Sequence, residues 1–157
     1  MDPPVLSLFA LRIFFDAAAG GFKRFSDGRH VDALSMFKKG VRPEWEDSAN
    51  IMGGEFMCRK VSHDPAHIDH YWENLLLGLI GETIDMGDEI TGCRVVDKSS
   101  RNTTVYRLEF WFRTRGVDEK LKQRLNACLQ LNAPTKRGLV WEYREHSKHI
   151  SSTLPGR

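Results

Sequence analysis

The stretch DPAHIDHYWENLLLGLIGE, residues 64–82, constrains the fold more than any other. Asp64 reads as an N-cap, and Pro65 suits the first helical position, where a missing N–H leaves no bond unmade. Ile68, Trp72, Leu75, Leu76, Leu79 and Ile80 then recur at helical spacing and form a wide apolar stripe. A helix with one apolar side must lay it against another element. The candidate elements around it are mostly strands: VLSLFALRIFF (5–15), EFMCRKV (55–61), GCRVVD (92–97), NTTVYRLEFWFRT (102–114) and GLVWEYRE (138–145). Two further helices are expected. One is VDALSMFKKG (31–40), closing at Gly40. The other is VDEKLKQRLNACLQL (117–131), with Leu121, Leu125, Cys128 and Leu129 on one side. Neighbouring strands mixed with isolated helices predict an α+β fold, a mainly antiparallel sheet with about three helices on one face. The other face is then free to bind something.

A chain of 157 residues with 41% hydrophobic and 28% charged side chains suits one domain, 1–157, with a core of its own. The apolar run at 5–15 is too short to span a bilayer as a helix, and Asp2 and Arg12 argue against a secretory leader. Three scattered cysteines, Cys58, Cys93 and Cys128, point to reduced thiols and an intracellular chain. Charge is unevenly spread. Residues 61–93 sum to −7 and residues 94–157 to +8. A basic C-terminal part calls for an anionic partner, most often phosphate.

The strand YRLEFWF sharpens this. Side chains alternate with period two, so Leu108, Phe110 and Phe112 face the core while Arg107, Glu109 and Trp111 share the polar face. A second indole, Trp45, stands between carboxylates in GVRPEWED, residues 40–47. The loop FFDAAAGGFKRFSDGRH (14–30) adds Phe22 and Phe25, and the KSSRN turn adds Lys98 and Arg101. Aromatic faces with cations suit nucleotides, since base stacking contributes ~1–3 kcal/mol. The carboxylate of Glu46 can accept from both adjacent donors of guanine, a pair that the other bases lack. A delocalised positive charge on the base, as after N7-methylation, strengthens both contacts.

MFKKGVRPEWED (36–47), GGEF (53–56), YWENLLLGLIGE (71–82) and LEFWF (108–112), in this order and spacing, resemble the cap-binding eukaryotic translation initiation factor 4E proteins. The resemblance runs through most of the chain from Met36 onward. It implies a curved sheet with about three helices on its convex face and a concave slot for the 7-methylguanosine cap of mRNA. It implies that Trp45 stacks on the base, Glu46 reads its edge and Trp111 touches the methyl group. It assigns phosphate contacts to Arg107, to Lys98 or Arg101, and to Lys148 in a C-terminal loop. Such proteins sandwich the base between two tryptophans. No tryptophan stands after the first strand here, and Phe22, or else Phe25, takes that part. On the convex face a 4G-type scaffold or 4E-binding peptide would meet Val31, Trp72, Asn74, Leu75 and Leu76. Ser35 falls where a partner-gripping tryptophan is expected, and Glu55 replaces a usually basic residue. The function implied is non-enzymatic: cap recognition in translation initiation or its regulation, by a cytoplasmic monomer without cofactor, metal or membrane contact. The alternative is a protein-interaction module or translational repressor that keeps the fold with weak or lost cap binding.

Two other motifs lead nowhere. GGEF lacks the carboxylates that a cyclase would need, and His63, His67 and His70 with Asp64 and Asp69 read as the polar start of a helix. No phosphate loop or dinucleotide fingerprint occurs.

Overall fold

The computed structural model describes residues 9–14, 33–61, 65–84, 88–115, 119–132 and 139–153. Phe22, Phe25, Val31, His63 and Asp64 lie outside these residues. Six strands form one sheet: β1 (Phe9–Phe14), β2 (Ala33–Lys38), β3 (Gly54–Val61), β4 (Ile90–Asp97), β5 (Val105–Phe112) and β6 (Glu142–Glu145). Their order is β1-β2-β4-β5-β3-β6, and every pairing is antiparallel. Among the described residues three helices accompany the sheet: α1 (Pro65–Ile80), α2 (Glu119–Leu129) and α3 (His146–Thr153).

The α+β class and the antiparallel sheet are as expected. The helix expected over 31–40 is instead strand β2, hydrogen-bonded to β1 on one side and β4 on the other. Ala33 through Phe37 are all buried, because both faces of β2 are covered. A strand buried on both faces loses the alternation that would mark it in sequence. Gly40 still ends the element, in the left-handed region at φ 88°, after a turn in which the Val41 N–H donates to the Lys38 carbonyl at 3.0 Å. The third helix lies elsewhere: residues 146–153, where the resemblance implied a loop around Lys148, form α3.

Cross-strand register sorts the side chains. Leu34, Met36, Phe56, Cys58, Cys93, Val95, Leu108, Phe110 and Phe112 join the core with α1 and α2. From α1 come Ile68, Tyr71, Trp72, Leu75, Leu76 and Leu79, and from α2 Leu121, Leu125 and Leu129. Ile80 was expected in this stripe, but it is exposed, as is Leu77. Tyr71 takes the core place instead. The two helices approach closely at Gly78, where a Cβ would stand 2.4 Å from Cys128 Sγ. Asn74 closes the same seam by donating from Nδ2 to the carbonyls of Leu129 and Leu131, at 3.2 and 2.9 Å.

Candidate functional site

Ser35, Phe37, Gly92, Arg94, Val96, Arg107, Glu109 and Trp111 occupy the other face of the sheet, since directly opposed residues share a face. From β3, Glu55 lies opposite Trp111 and Met57 opposite Glu109. This face is far from open. Trp111 is 2% exposed, Glu109 2% and Glu55 2%. The expectation that this face stands free around Trp111 is thus corrected. Phe37 packs its edge on the indole at 5.2 Å and 85°, and His146 of α3 covers it at 4.5 Å. Gly92 makes the first contact possible. It sits between Phe37 and Trp111 in the register, and a Cβ there would meet the Phe37 ring at 2.5 Å.

The loop 41–53 forms the rim. Asp47 and Asn50, both buried, fold it from within. Asp47 accepts from the backbone N–H groups of Arg42 and Ala49, both at 3.0 Å, and lies 3.5 Å from the Arg42 guanidinium. Burial pushes the Asp47 carboxyl up, but these bonds outweigh it and hold the group below the usual carboxylate value. Asn50 donates from Nδ2 to the carbonyls of Arg42 and Glu44, both at 2.9 Å. The Asn50 carbonyl lies 2.8 Å from His146 Nδ1, and as a carbonyl can only accept, that nitrogen carries the proton. The His146 backbone N–H donates to the Gly53 carbonyl at 3.2 Å. Loop and α3 are thereby stitched together.

The turn so braced presents Trp45 and Glu46. With Pro43, Glu44, Arg94, Arg107, Glu109 and Trp111 they line a cleft of about 200 Å³. Trp45 is half-buried, and one ring face stacks on His149 at 4.8 Å and 24°. Glu46 is exposed. Arg107 donates from Nε to Glu109 Oε1 at 2.6 Å, and Trp111 Nε1 donates to Glu109 Oε2 at 3.1 Å. Burial, then the Glu55 carboxylate, push the Glu109 carboxyl up against the pull of Arg107 and Arg94.

Of the expected site residues, Trp45, Glu46, Trp111 and Arg107 therefore come together. Lys98 and Arg101 are exposed on the β4–β5 turn and Lys148 is exposed on α3, all outside the cleft lining. Lys148 lies on a helix rather than in a loop, paired with Glu145 at 3.3 Å. The convex-face set needs correction. Trp72 and Leu75 are 0% exposed and Leu76 9%, so they pack the core and offer no partner surface. Asn74 spends its amide on α2 and the chain after it. Ser35 stands in β2, fully buried on the cleft face, rather than on a helix. Sequence reasoning missed Arg94, His146 and His149. Arg94 was findable, since it precedes Val95 in an alternating strand; the histidines were not, because nothing marked 146–153 as a helix over the cleft. Among the described residues, no group of three or more His, Cys, Asp or Glu could hold a metal ion, and no helix is long and apolar enough to cross a membrane.

The family model for eukaryotic initiation factor 4E matches residues 15–155. The chain belongs to the eukaryotic initiation factor 4E family. Eukaryotic translation initiation factor 4E-4 of Caenorhabditis elegans is 32% identical over 128 residues, which cover 80% of this chain and 55% of that protein. Eukaryotic translation initiation factor 4E-2 of Schizosaccharomyces pombe is 33% identical over 144 residues, covering 87% and 54%. The chain thus spans about half the length of the curated relatives it matches. Among solved structures, the complex of C. elegans eIF4E-3 with the 4E-binding protein Mextli and cap analog is similar at TM-score 0.58 and 29% identity, covering 78% of this chain and 66% of that one.

Proposed function

We propose that the chain binds the 7-methylguanosine cap of mRNA in the cleft between the 41–53 loop and the sheet, acting without catalysis in translation initiation or its regulation. The observation that carries this reading is the convergence of Trp45, Glu46, Trp111 and Arg107 on one cleft in a member of this family. The free face of Trp45 stacks on the base. Glu46 accepts from the ring N–H and amino group of guanine, and Trp111 lies beside the methyl group. Arg107 holds a phosphate, with Lys98, Arg101 and Lys148 along the path of the remaining charge. Phe22 or Phe25 supplies the second stacking ring. The relatives' association with a cap analog and a 4E-binding protein supports the choice of ligand and of a partner on the helix face. A partner peptide there would meet the exposed Leu77 and Ile80.

Two observations favour a second reading, an interaction module with weakened cap binding. His149 already covers one face of Trp45, and Trp111 is almost wholly enclosed. Retention on immobilised 7-methyl-GTP separates the two. Elution by free 7-methyl-GTP but not by GTP supports the cap reader. Equal elution by GTP indicates a general purine site, and no retention supports the module.

A further inference from the structure

The cleft holds an acid that cap recognition, as proposed above, does not use. Glu109 stands midway between Arg107 and Trp111 on one face of β5, and it is 2% exposed. Its two oxygens are divided between them. Oε1 accepts from the Arg107 Nε at 2.6 Å and lies 2.6 Å from Nη2, while Oε2 accepts from the Trp111 indole at 3.1 Å. Bonds of this charge-assisted kind are roughly twice as strong as neutral ones, and the planar carboxylate fixes the angle between its partners. Charged and titratable groups approach from every side: Glu55 from β3, Arg94 opposite Glu109 on β4, and His146 from α3, 3.8 Å from Glu55. Burial and Glu55 both oppose the ionised form of Glu109. A buried acid in that position is a poor way to gain stability. It is an effective way to set orientation.

We infer that Glu109 is a positioning residue that couples the Arg107 guanidinium to the Trp111 indole, so that the phosphate end and the base end of the cleft are set as one unit. The identity of the ligand rests on the cap reading; the linkage itself does not. Drawing Arg107 toward a phosphate changes the charge that Oε2 offers to Trp111, and the base end feels it.

Glu109→Gln tests this, because it keeps the size and one acceptor while removing the charge. The Trp111 indole N–H and the Arg107 Nε–H are followed by ¹⁵N NMR on the whole chain. In the ligand-free protein the substitution should move the indole resonance upfield and speed exchange of the Arg107 proton. In the wild type, 7-methyl-GTP and 7-methylguanosine should shift the Trp111 resonance differently; in E109Q they should shift it alike. Affinity for 7-methyl-GTP should fall about tenfold, the loss of one charged hydrogen bond. Unchanged Trp111 and Arg107 resonances in free E109Q would overturn the linkage. Moved resonances with unchanged affinity would overturn the positioning role. A wild type that binds no 7-methyl-GTP would sink the cap reading, and with it the ligand that this linkage serves, while the two free-protein resonances still decide the linkage.

Discussion

Asp47→Ala is the perturbation that bears most directly on how the cleft rim is built. The substitution removes the acceptor for two backbone N–H groups, each at 3.0 Å, and takes from the Arg42 guanidinium one of its two carboxylates, at 3.5 Å, leaving Glu44 at 3.1 Å. Hydrogen bonds to a charged group are worth about 1.5–3 kcal/mol each. Arg42 is exposed, so its amide regains water and part of that loss is returned. The exposed guanidinium contact adds only ~0.2–1 kcal/mol. A net loss of about 2–4 kcal/mol follows. Urea unfolding followed by tryptophan fluorescence reads it as a midpoint lowered by roughly 1–2 M at unchanged slope, for a slope of about 2 kcal/mol/M. The acid side offers a second readout. The Asp47 carboxyl is held low in the folded chain, so the unfolded chain binds more protons just below its own pKa of about 3.9. The contribution of Asp47 is therefore present above that value and is lost as pH falls through the folded pKa. Asp47→Asn keeps one acceptor without charge and should flatten this part of the acid limb. A D47A protein with the wild-type midpoint and the wild-type acid limb would refute the view that Asp47 organises the rim.

Three further outcomes are expected. Glu46→Gln should weaken 7-methyl-GTP and GTP alike and erode the preference for GTP over ATP in competition assays, because a neutral amide cannot accept from both guanine donors at once. Arg107→Ala should lower affinity for 7-methyl-GTP and reduce the slope of log K against log salt by about one, leaving 7-methylguanosine binding less affected. Gly92→Ala forces a methyl against the Phe37 ring and should cost about 1–3 kcal/mol in thermal or urea unfolding, with a changed Trp111 emission because Phe37 must move.

Much of this fold could be read before any coordinates. Helix α1 announces itself through a Pro at its start and six apolar positions at helical spacing, five of which are buried as expected. Strand β5 shows its two faces through alternation alone. β2 resisted the same reasoning, since Ser35 and Phe37 on the cleft face are as buried as Leu34 and Met36 on the core face. The site was legible where chemistry is local, in the Trp45–Glu46 pair and the Arg107–Trp111 spacing. It was illegible where the partner is distant. No local pattern brings His149 onto Trp45, or puts Leu77 outward and Leu76 inward at the edge of one stripe. A single helical step of about 100° decides the latter, which is finer than a stripe of apolar residues can resolve.

The bond between the Asn50 carbonyl and His146 spans ninety-six positions of chain. A loop braced in this way is assembled late. While the chain is being synthesised, the GVRPEWED segment emerges early but stays unbacked until β6 and α3 have left the ribosome and docked against it. The backing of the loop is complete only once α3 has docked, and a nascent chain halted before residue 146 has its tryptophan but not the support behind it.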